Sequence, residues 1–249
     1  GAVCYPEVVL TGIHLSSFGR DLQGETLLDA VRVVAQAPGI HRVRLGSLEP
    51  VIATRAFAQA LAELPQVCPQ FHLSLQSGSD AVLKRMRRRY TAAEFMQAAD
   101  HLRQAFPGCA LTTDIIAGFP GETDEEHQET LAFVRRVGFA RLHVFPFSPR
   151  QDTPAATMPG QLPKAGKDAR ARELIALGDE LADGYRRTLL HTTQPVLFEE
   201  SGDGGATGYT PQYIEVFAPG AVSGQLADVT IDSVDGQRLV GRLTASVSP

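Results

Sequence analysis

Up to about residue 189 the apolar residues of this chain alternate between a strand period and a helix period, and that beat leaves few architectures open. Val8-Val9-Leu10 reads as a short buried strand. Leu27, Leu28, Val31 and Val34 then recur at helical spacing until Pro38-Gly39 stops them. Val43 and Leu45 mark a second strand, and Phe57, Leu61 and Leu64 a helix closed by Pro65. Phe71, Leu73 and Leu75 alternate with His72, Ser74 and Gln76, as in a half-buried strand. Small polar residues, Gln76-Ser-Gly-Ser-Asp80, break that strand, and Ser79 or Asp80 is placed to cap a helix through Val82, Leu83 and Met86. Phe95, Ala98, Leu102 and Phe106 form the next helix, and residues 110–117 the next strand. A tight loop, Gly118-Phe-Pro-Gly-Glu-Thr123, follows. Thr123 with Glu126 is a capping box for a helix carrying Leu131, Phe133, Val134 and Val137, which ends at Gly138. Leu142, Val144 and Phe145 mark a last strand, separated by a Pro-rich loop from a long helix over residues 164–190. Strands joined by helical crossovers lie parallel, so a barrel-like α/β sheet is expected, with functional groups at the C-terminal strand ends.

Beyond residue 189 the beat changes. Short strands around 195–198, 208–210, 213–217, 225–231 and 239–243, separated by Gly, Asp and Ser, predict a small all-β barrel over residues 190–249. With 249 residues, 43% of them hydrophobic, the chain can bury one large core and a smaller second one. Charge follows the same division. Residues 190–249 hold 7 acidic and 2 basic residues, which accounts for the whole net charge of −5. Five of the six residues 84–89 are basic, a density that reads either as a solvated helix face or as a polyanion contact. No apolar run approaches the roughly 18 residues of a membrane span, and no signal peptide is evident, so a cytoplasmic protein without membrane contact is expected. Cys4, Cys68 and Cys109 share no ligand spacing and read as small buried hydrophobes; no metal ligands are expected. An early strand entry after Gly1 suggests a piece of a longer chain.

The string His72-Leu-Ser-Leu-Gln-Ser-Gly-Ser-Asp80, continued by Met86-Arg-Arg-Arg-Tyr-Thr91, resembles a signature of the methylthiotransferases, radical S-adenosylmethionine (SAM) enzymes that thiomethylate tRNA or a ribosomal protein. Arg87 stands where that family has Asn. The likeness extends through Leu10-Thr-Gly-Ile-His-Leu15 with Gly19, Arg44-Leu-Gly-Ser-Leu-Glu-Pro50, Asp114-Ile-Ile-Ala-Gly-Phe-Pro-Gly-Glu-Thr123 and His143-Val-Phe-Pro-Phe-Ser-Pro-Arg150. With Thr210-Pro-Gln-Tyr213 it is nearest the MtaB-type branch, which modifies threonylcarbamoyladenosine beside the tRNA anticodon. Phe18 replaces the usual Tyr, and Gln151-Asp152 replaces a Pro-Gly-like pair. The resemblance implies a partial (βα) barrel of radical SAM type over residues 1–189, without its first strand and cluster loop. It implies a TRAM domain, an OB-like RNA-binding barrel, over 190–249.

It also implies a cofactor set. SAM would be cleaved reductively to a 5′-deoxyadenosyl radical, which abstracts hydrogen from the adenine ring before sulfur insertion and methylation. The Cys-x3-Cys-x2-Cys ligands of the [4Fe–4S] cluster that this needs are absent from the chain, so clusters would belong to a longer parent protein. SAM needs backbone-exposing glycines, hydroxyls and amides for its ribose, and an arginine for its carboxylate. The strand ends offer Thr11, Gly12, Ser47, Glu49, Gln76, Ser77, Gly78, Asp114, Gly118, Phe119 and Pro120 as cofactor-binding residues, with Arg88 at the family's arginine position. Among these, Gln76, Ser77, Gly78, Glu49 and Arg88 would position SAM, and residues 118–120 would line its adenine. Arg150, Tyr209 and Tyr213 are the candidate tRNA contacts, the tyrosines by stacking on bases; both tyrosines equally suit the core of a small barrel. A monomer is expected. A non-catalytic RNA-binding fragment, and a relative acting on another modified adenosine or on a ribosomal protein, are the alternatives.

Overall fold

The structure, a computed structural model, describes residues 5–19, 21 and 24–246. Five parallel strands stand in chain order: β1 (Glu7–Leu10), β2 (Arg42–Leu45), β3 (Gln70–His72), β4 (Ala110–Ala117) and β5 (Arg141–Pro146). β1 pairs with β2, and β3, β4 and β5 form a second ladder; single bridges Val43–Val67 and Leu48–Leu73 join the two. The crossovers carry α1 (Leu27–Ala35), α2 (Arg55–Ala62), α3 (Asp80–Arg85), α4 (Ala92–Ala105) and α5 (Asp124–Val137), and α6 (Lys164–Thr188) follows β5. Three helices begin with reciprocal capping boxes, Thr26/Asp29, Thr91/Glu94 and Thr123/Glu126, which satisfy N-terminal amides that no intrahelical carbonyl can reach.

Strand alternation sorts the side chains. Val43, Leu45, Phe71, Leu73, Leu75, Leu111 and Ile115 face the helices and are buried with Phe95, Phe133 and Phe139 in one core. The other face is polar: Glu7, Arg42, Arg44, Gln70, His72, Thr112, Asp114, Arg141 and His143 occupy the intervening rungs. A sheet whose inner rungs carry charge cannot be a dry barrel interior, so that face is either solvated or covered by polar partners.

The second expected unit is a closed five-strand barrel, in the order β10–β8–β7–β6–β9. Its strands are β6 (Thr193–Gly202), β7 (Gly205–Tyr209), β8 (Glu215–Pro219), β9 (Leu226–Asp235) and β10 (Arg238–Ser246). Its core of Val196, Phe198, Val216, Val229, Ile231 and Leu239 is separate from the first and is capped by Leu189 and Tyr185 at the end of α6. Gly208 is obligatory in this closure: a Cβ there would sit 2.1 Å from the Leu197 carbonyl oxygen.

Several expectations change in the structure. The basic helix is shorter than the charge run. α3 ends at Arg85, Met86 caps it, and Arg87 turns left-handed at φ 58°, so Arg87, Arg88 and Arg89 lie on a connecting turn. Ser79 is the N-cap of α3 but makes no capping bond, because its hydroxyl donates to Glu129 instead; Asp80 accepts from the Ala92 amide. Residues 210–214 form a turn rather than strand, with Tyr213 left-handed at φ 64°. α6 stops at Thr188, two residues before the expected end. Cys4 lies outside the described residues. No helix among the described residues is long and apolar enough to cross a membrane.

Candidate functional site

The C-terminal ends of β1 to β5 gather the predicted residues along one edge. Thr11 and Gly12 are exposed in the loop after β1. Gly46 lets that loop close on β2, since a Cβ at Gly46 would lie 3.2 Å from both the Leu10 carbonyl and the Thr11 hydroxyl. Ser47 is exposed beside it, and Glu49 receives His14 Nε2 at 3.0 Å while its own amide donates to Ser16 Oγ. Past β3, Gln76 adopts φ 71°, a conformation uncommon outside glycine. Its main chain is held on both sides, donating to the Asp114 carbonyl and accepting from the Ile116 amide at 2.9 Å each. Its side-chain amide has no hydrogen bond among the described residues.

Ser77 and Gly78 do not join that edge; both are buried against α5. Ser77 Oγ lies 3.2 Å from Thr130 Oγ1, the Gly78 amide donates to the same hydroxyl, and a Cβ at Gly78 would come within 2.7 Å of Phe133 Cβ. They hold the turn that presents Gln76.

Tyr90, which the sequence reading passed over, anchors the basic turn. Its hydroxyl donates to the carbonyls of Ser74 (2.7 Å) and Leu75 (3.1 Å), fixing the chain just before Gln76. Burial pushes its phenol up to about 12, with Arg88 drawing it down and Glu49 raising it, so all three groups share one neighbourhood. A raised folded-state pKa means the contribution to stability is complete below pH ~10 and fades as pH rises through about 12. Tyr90 and the more deeply shifted Tyr185 are therefore expected to ionise well above the usual phenol range. Alkaline absorbance titration should resolve this late fraction, and Tyr90→Phe should remove one step of it. A single wave near pH 10 would show that the phenol is not buried as described.

Arg88 is exposed and unpaired among the described residues, in contrast to Arg85, whose two terminal nitrogens grip Glu126 at 2.9 and 2.5 Å. Arg87 and Arg89, on the same turn, are likewise exposed, and Arg88 is the one of the three at the position marked by the motif.

Below the edge, on the inner face, Asp114 lies 3.4 Å from His72 Nε2, and His72 Nδ1 meets Thr112 Oγ1 at 3.0 Å. His72 holds the Asp114 carboxyl below its usual range, against the opposing effect of burial. His143, its ring 5.9 Å from that of His72, is held down by burial and by Arg141, so it is neutral near pH 7. Asp114 is therefore a fixed acceptor on the inner wall rather than part of the strand-end edge.

The loop after β4 is clamped. Glu122 is buried; its carboxylate accepts from the Gly118 amide at 2.8 Å and from Arg170 of α6 at 2.7 Å. Phe119 is buried edge-on against Phe147, and Pro120 is buried as well. Since the Gly118 amide is occupied by Glu122, residues 118–120 can offer a ligand a shaped wall but not that donor. Arg150, in the loop after β5, is exposed.

At the opposite strand ends the second barrel docks on the inner face through two arginines. Arg42 donates to the carbonyls of Tyr209 (2.9 Å) and Pro195 (2.6 Å). Arg44 donates to Pro211 O at 2.9 Å and grips Glu7 with two bonds of 3.0 and 3.1 Å. Tyr213 stacks on Tyr209 at 4.6 Å, and the Arg44 guanidinium lies 4.7 Å from the centre of its ring. The two tyrosines thus stack on each other, and Tyr213 remains 45% exposed. The alternating Arg42-Val-Arg-Leu45 pattern, with charge on inward rungs, was the sequence signal for this contact.

Residues that fit SAM stand together at the strand tops: hydroxyls at Thr11 and Ser47, an amide at Gln76, a carboxylate at Glu49 and the unpaired guanidinium of Arg88. That donor set matches a ribose, an ammonium and a carboxylate. An iron–sulfur cluster does not fit the described cysteines. Cys68 and Cys109 precede β3 and β4, at the far end of the strands, and both are buried. Burial raises the Cys68 thiol and pushes Cys109 up to about 11, so neither offers a ready thiolate.

A family model described as the Radical SAM superfamily matches residues 7–134. The threonylcarbamoyladenosine tRNA methylthiotransferase MtaB of Thermotoga maritima is 38% identical over 237 residues, covering 95% of this chain and 54% of its own length. The tRNA-2-methylthio-N(6)-dimethylallyladenosine synthase of Corynebacterium urealyticum is 41% identical over 203 residues, covering 79% of this chain and 38% of its own. The chain spans about half the length of the curated relatives it matches. Among solved structures, coproporphyrinogen III oxidase (HemN) from Escherichia coli, a radical SAM enzyme, superimposes with a TM-score of 0.50 at 15% identity, over 86% of this chain and 54% of its own; that likeness is one of fold. The chain belongs to the radical SAM superfamily, and its curated relatives are tRNA methylthiotransferases of that superfamily.

Proposed function

We propose that this chain is the SAM-binding partial barrel and the RNA-binding C-terminal barrel, of TRAM type, of a cytoplasmic, monomeric tRNA methylthiotransferase acting on threonylcarbamoyladenosine beside the anticodon. The observation that carries the reading is the strand-top edge where Gln76 and Arg88 are left unpaired beside Thr11, Ser47 and Glu49, in a chain whose relatives bear that activity's name. Bound at this edge, SAM supplies the radical and methyl-donor chemistry of the enzyme class. Arg88 supplies the charge complement of the SAM carboxylate, and Glu49 that of its ammonium. Gln76, held left-handed by Ser77, Gly78 and the Asp114 carbonyl, directs its amide at the ribose. Residues 118–120 form the wall against the adenine, kept rigid by Glu122. Asp114 remains ionised and offers a hydrogen-bond acceptor below the cofactor. The exposed cations Arg87, Arg89 and Arg150 meet the RNA backbone. The acidic C-terminal barrel contributes shape rather than net charge, as its seven acidic residues against two basic ones require.

The reaction is tested by incubating the intact protein, with its clusters, anaerobically with SAM, sulfide, dithionite as the electron donor for reductive SAM cleavage, and anticodon stem-loop RNA bearing either threonylcarbamoyladenosine or dimethylallyladenosine. Digestion and mass spectrometry should show a methylthio gain on the first RNA. A gain only on the second would assign the activity named for the Corynebacterium urealyticum relative. Absence of the product with both RNAs would sink the methylthiotransferase reading.

Arg88→Ala should weaken SAM binding by roughly 1.5–3 kcal/mol, the range for a lost hydrogen bond to a charged group, whereas Arg87→Ala should leave it unchanged. Equilibrium dialysis with labelled SAM reads both. Equal losses in the two variants would indicate a diffuse field rather than a contact by Arg88.

A further inference from the structure

We infer that the inner wall formed by Asp114, His143 and Arg141 is the subsite for the substituent on the modified adenosine, and that it takes a polar, carboxylate-bearing one. This rests on the methylthiotransferase reading above and assigns the residues that read its substrate. The wall lies directly below the strand-top edge. Gln76 is bonded through its main chain to the Asp114 carbonyl and the Ile116 amide, and Asp114 and His143 are register partners on β4 and β5. Alternate residues of a strand share a face, so Arg141, His143 and Phe145 look inward while Leu142 and Val144 pack on the helix-side core. Phe145 tops this column and is 53% exposed, which leaves its ring open to a flat partner just under the edge. An unstacked adenine can lie against such a ring. Two residues of strand span roughly 7 Å, so a substituent on that adenine comes within reach of Asp114 and His143.

The open hydrogen-bonding groups narrow the class. The Asp114 side chain is 35% exposed, and His72 keeps it ionised, so it is an accessible acceptor. The His143 ring has no hydrogen-bond partner among the described residues; neutral, it offers one donor and one acceptor. Arg141 is exposed and pairs with no carboxylate or carbonyl among the described residues, and its charge is felt at His143. The other two inner-face arginines, Arg42 and Arg44, are already taken by Glu7 and by carbonyls of the second barrel. An acceptor, a donor–acceptor and a cation match the urea N–H, the hydroxyl and the carboxylate of a threonylcarbamoyl group. A dimethylallyl group has none of these and would strip water from all three residues without replacing a hydrogen bond. The wall therefore favours the first substituent and penalises the second.

The test measures binding of anticodon stem-loops to the intact protein, with its clusters, by fluorescence anisotropy, and then turnover on the same RNAs. The stem-loops carry threonylcarbamoyladenosine, its methyl ester, or dimethylallyladenosine. The wild type should bind the free acid about 10- to 100-fold more tightly than the ester, the loss of a hydrogen bond between charged groups. Arg141→Met should bind the acid no better than the ester, with its affinity for the ester unchanged, which also shows that the variant is folded. His143→Leu should weaken binding of the acid about fivefold and leave the dimethylallyl RNA unaffected. If Arg141→Met keeps the preference for acid over ester, Arg141 does not touch the carboxylate and the subsite is overturned. Equal weakening of acid and ester by that variant would make Arg141 a phosphate contact and overturn it too. If the wild type methylthiolates only the dimethylallyl RNA, the threonylcarbamoyl reading falls and this subsite falls with it. Undiminished binding and turnover of the acid in both variants removes the subsite alone.

Discussion

Glu122→Ala should lower the stability of the barrel by about 3–5 kcal/mol, the range observed when one partner of a buried ion pair is removed. The reason is what remains. Arg170 keeps its charge with only 10% of its side chain exposed, and it loses the carboxylate at 2.7 Å. The Gly118 amide loses its acceptor in the same step. Arg170 also contacts Asp124 at 2.7 Å, but the Asp124 side chain is 93% exposed, and water screens it. Asp124→Ala should therefore cost no more than about 1 kcal/mol, as exposed pairs do. Urea denaturation followed by helical circular dichroism compares the two. Similar losses would show that burial does not set the strength of this clamp. Because Glu122 shapes residues 118–120, its variant should also weaken SAM binding, whereas the Asp124 variant should not.

The strand–helix beat carried most of the fold in the sequence because each element obeys its own period. Phe71, Leu73 and Leu75 point at helices, and His72, Ser74 and Gln76 do not; no long-range information is needed to see that. The capping box at Thr123 and Glu126 was equally local, and it formed as expected. What remained hidden depends on contacts between distant segments. Arg85 reads like Arg88 in a run of cations, yet one reaches Glu126, forty-one residues on, and the other stays free. Ser77 and Gly78 read like ligand residues, because glycine and hydroxyl after a strand serve either a ligand or a neighbouring helix. Here Thr130 and Phe133 occupy the space in front of them. Tyr209 and Tyr213 offered stacking faces in the sequence; the arginine that lies over one of them comes from β2.

The same long-range logic gives a second large effect. Arg44→Ala should cost about 3–5 kcal/mol and loosen the C-terminal barrel from the first. The Arg44 and Glu7 side chains are only 6% and 14% exposed, and without Arg44 the Glu7 carboxylate retains, among the described residues, only the Arg42 cation at 3.6 Å. The Pro211 carbonyl and the Tyr213 ring lose their partner at once. Arg44→Lys should recover little of this, since a single ammonium cannot make the two-bond grip on Glu7, reach Pro211 and cover the tyrosine ring together. Hydrogen exchange of the Tyr213 amide, which donates to Thr210 O at 2.9 Å, reports the docking directly. It should accelerate in Arg44→Ala and Arg44→Lys, while the β9–β10 amides of the C-terminal barrel stay protected by a core that Arg44 does not touch. Unchanged exchange at Tyr213 would mean that Arg42 alone, through Pro195 and Tyr209, holds the two barrels together. Loss of protection throughout β9 and β10 would mean that the second barrel does not hold its fold without the first.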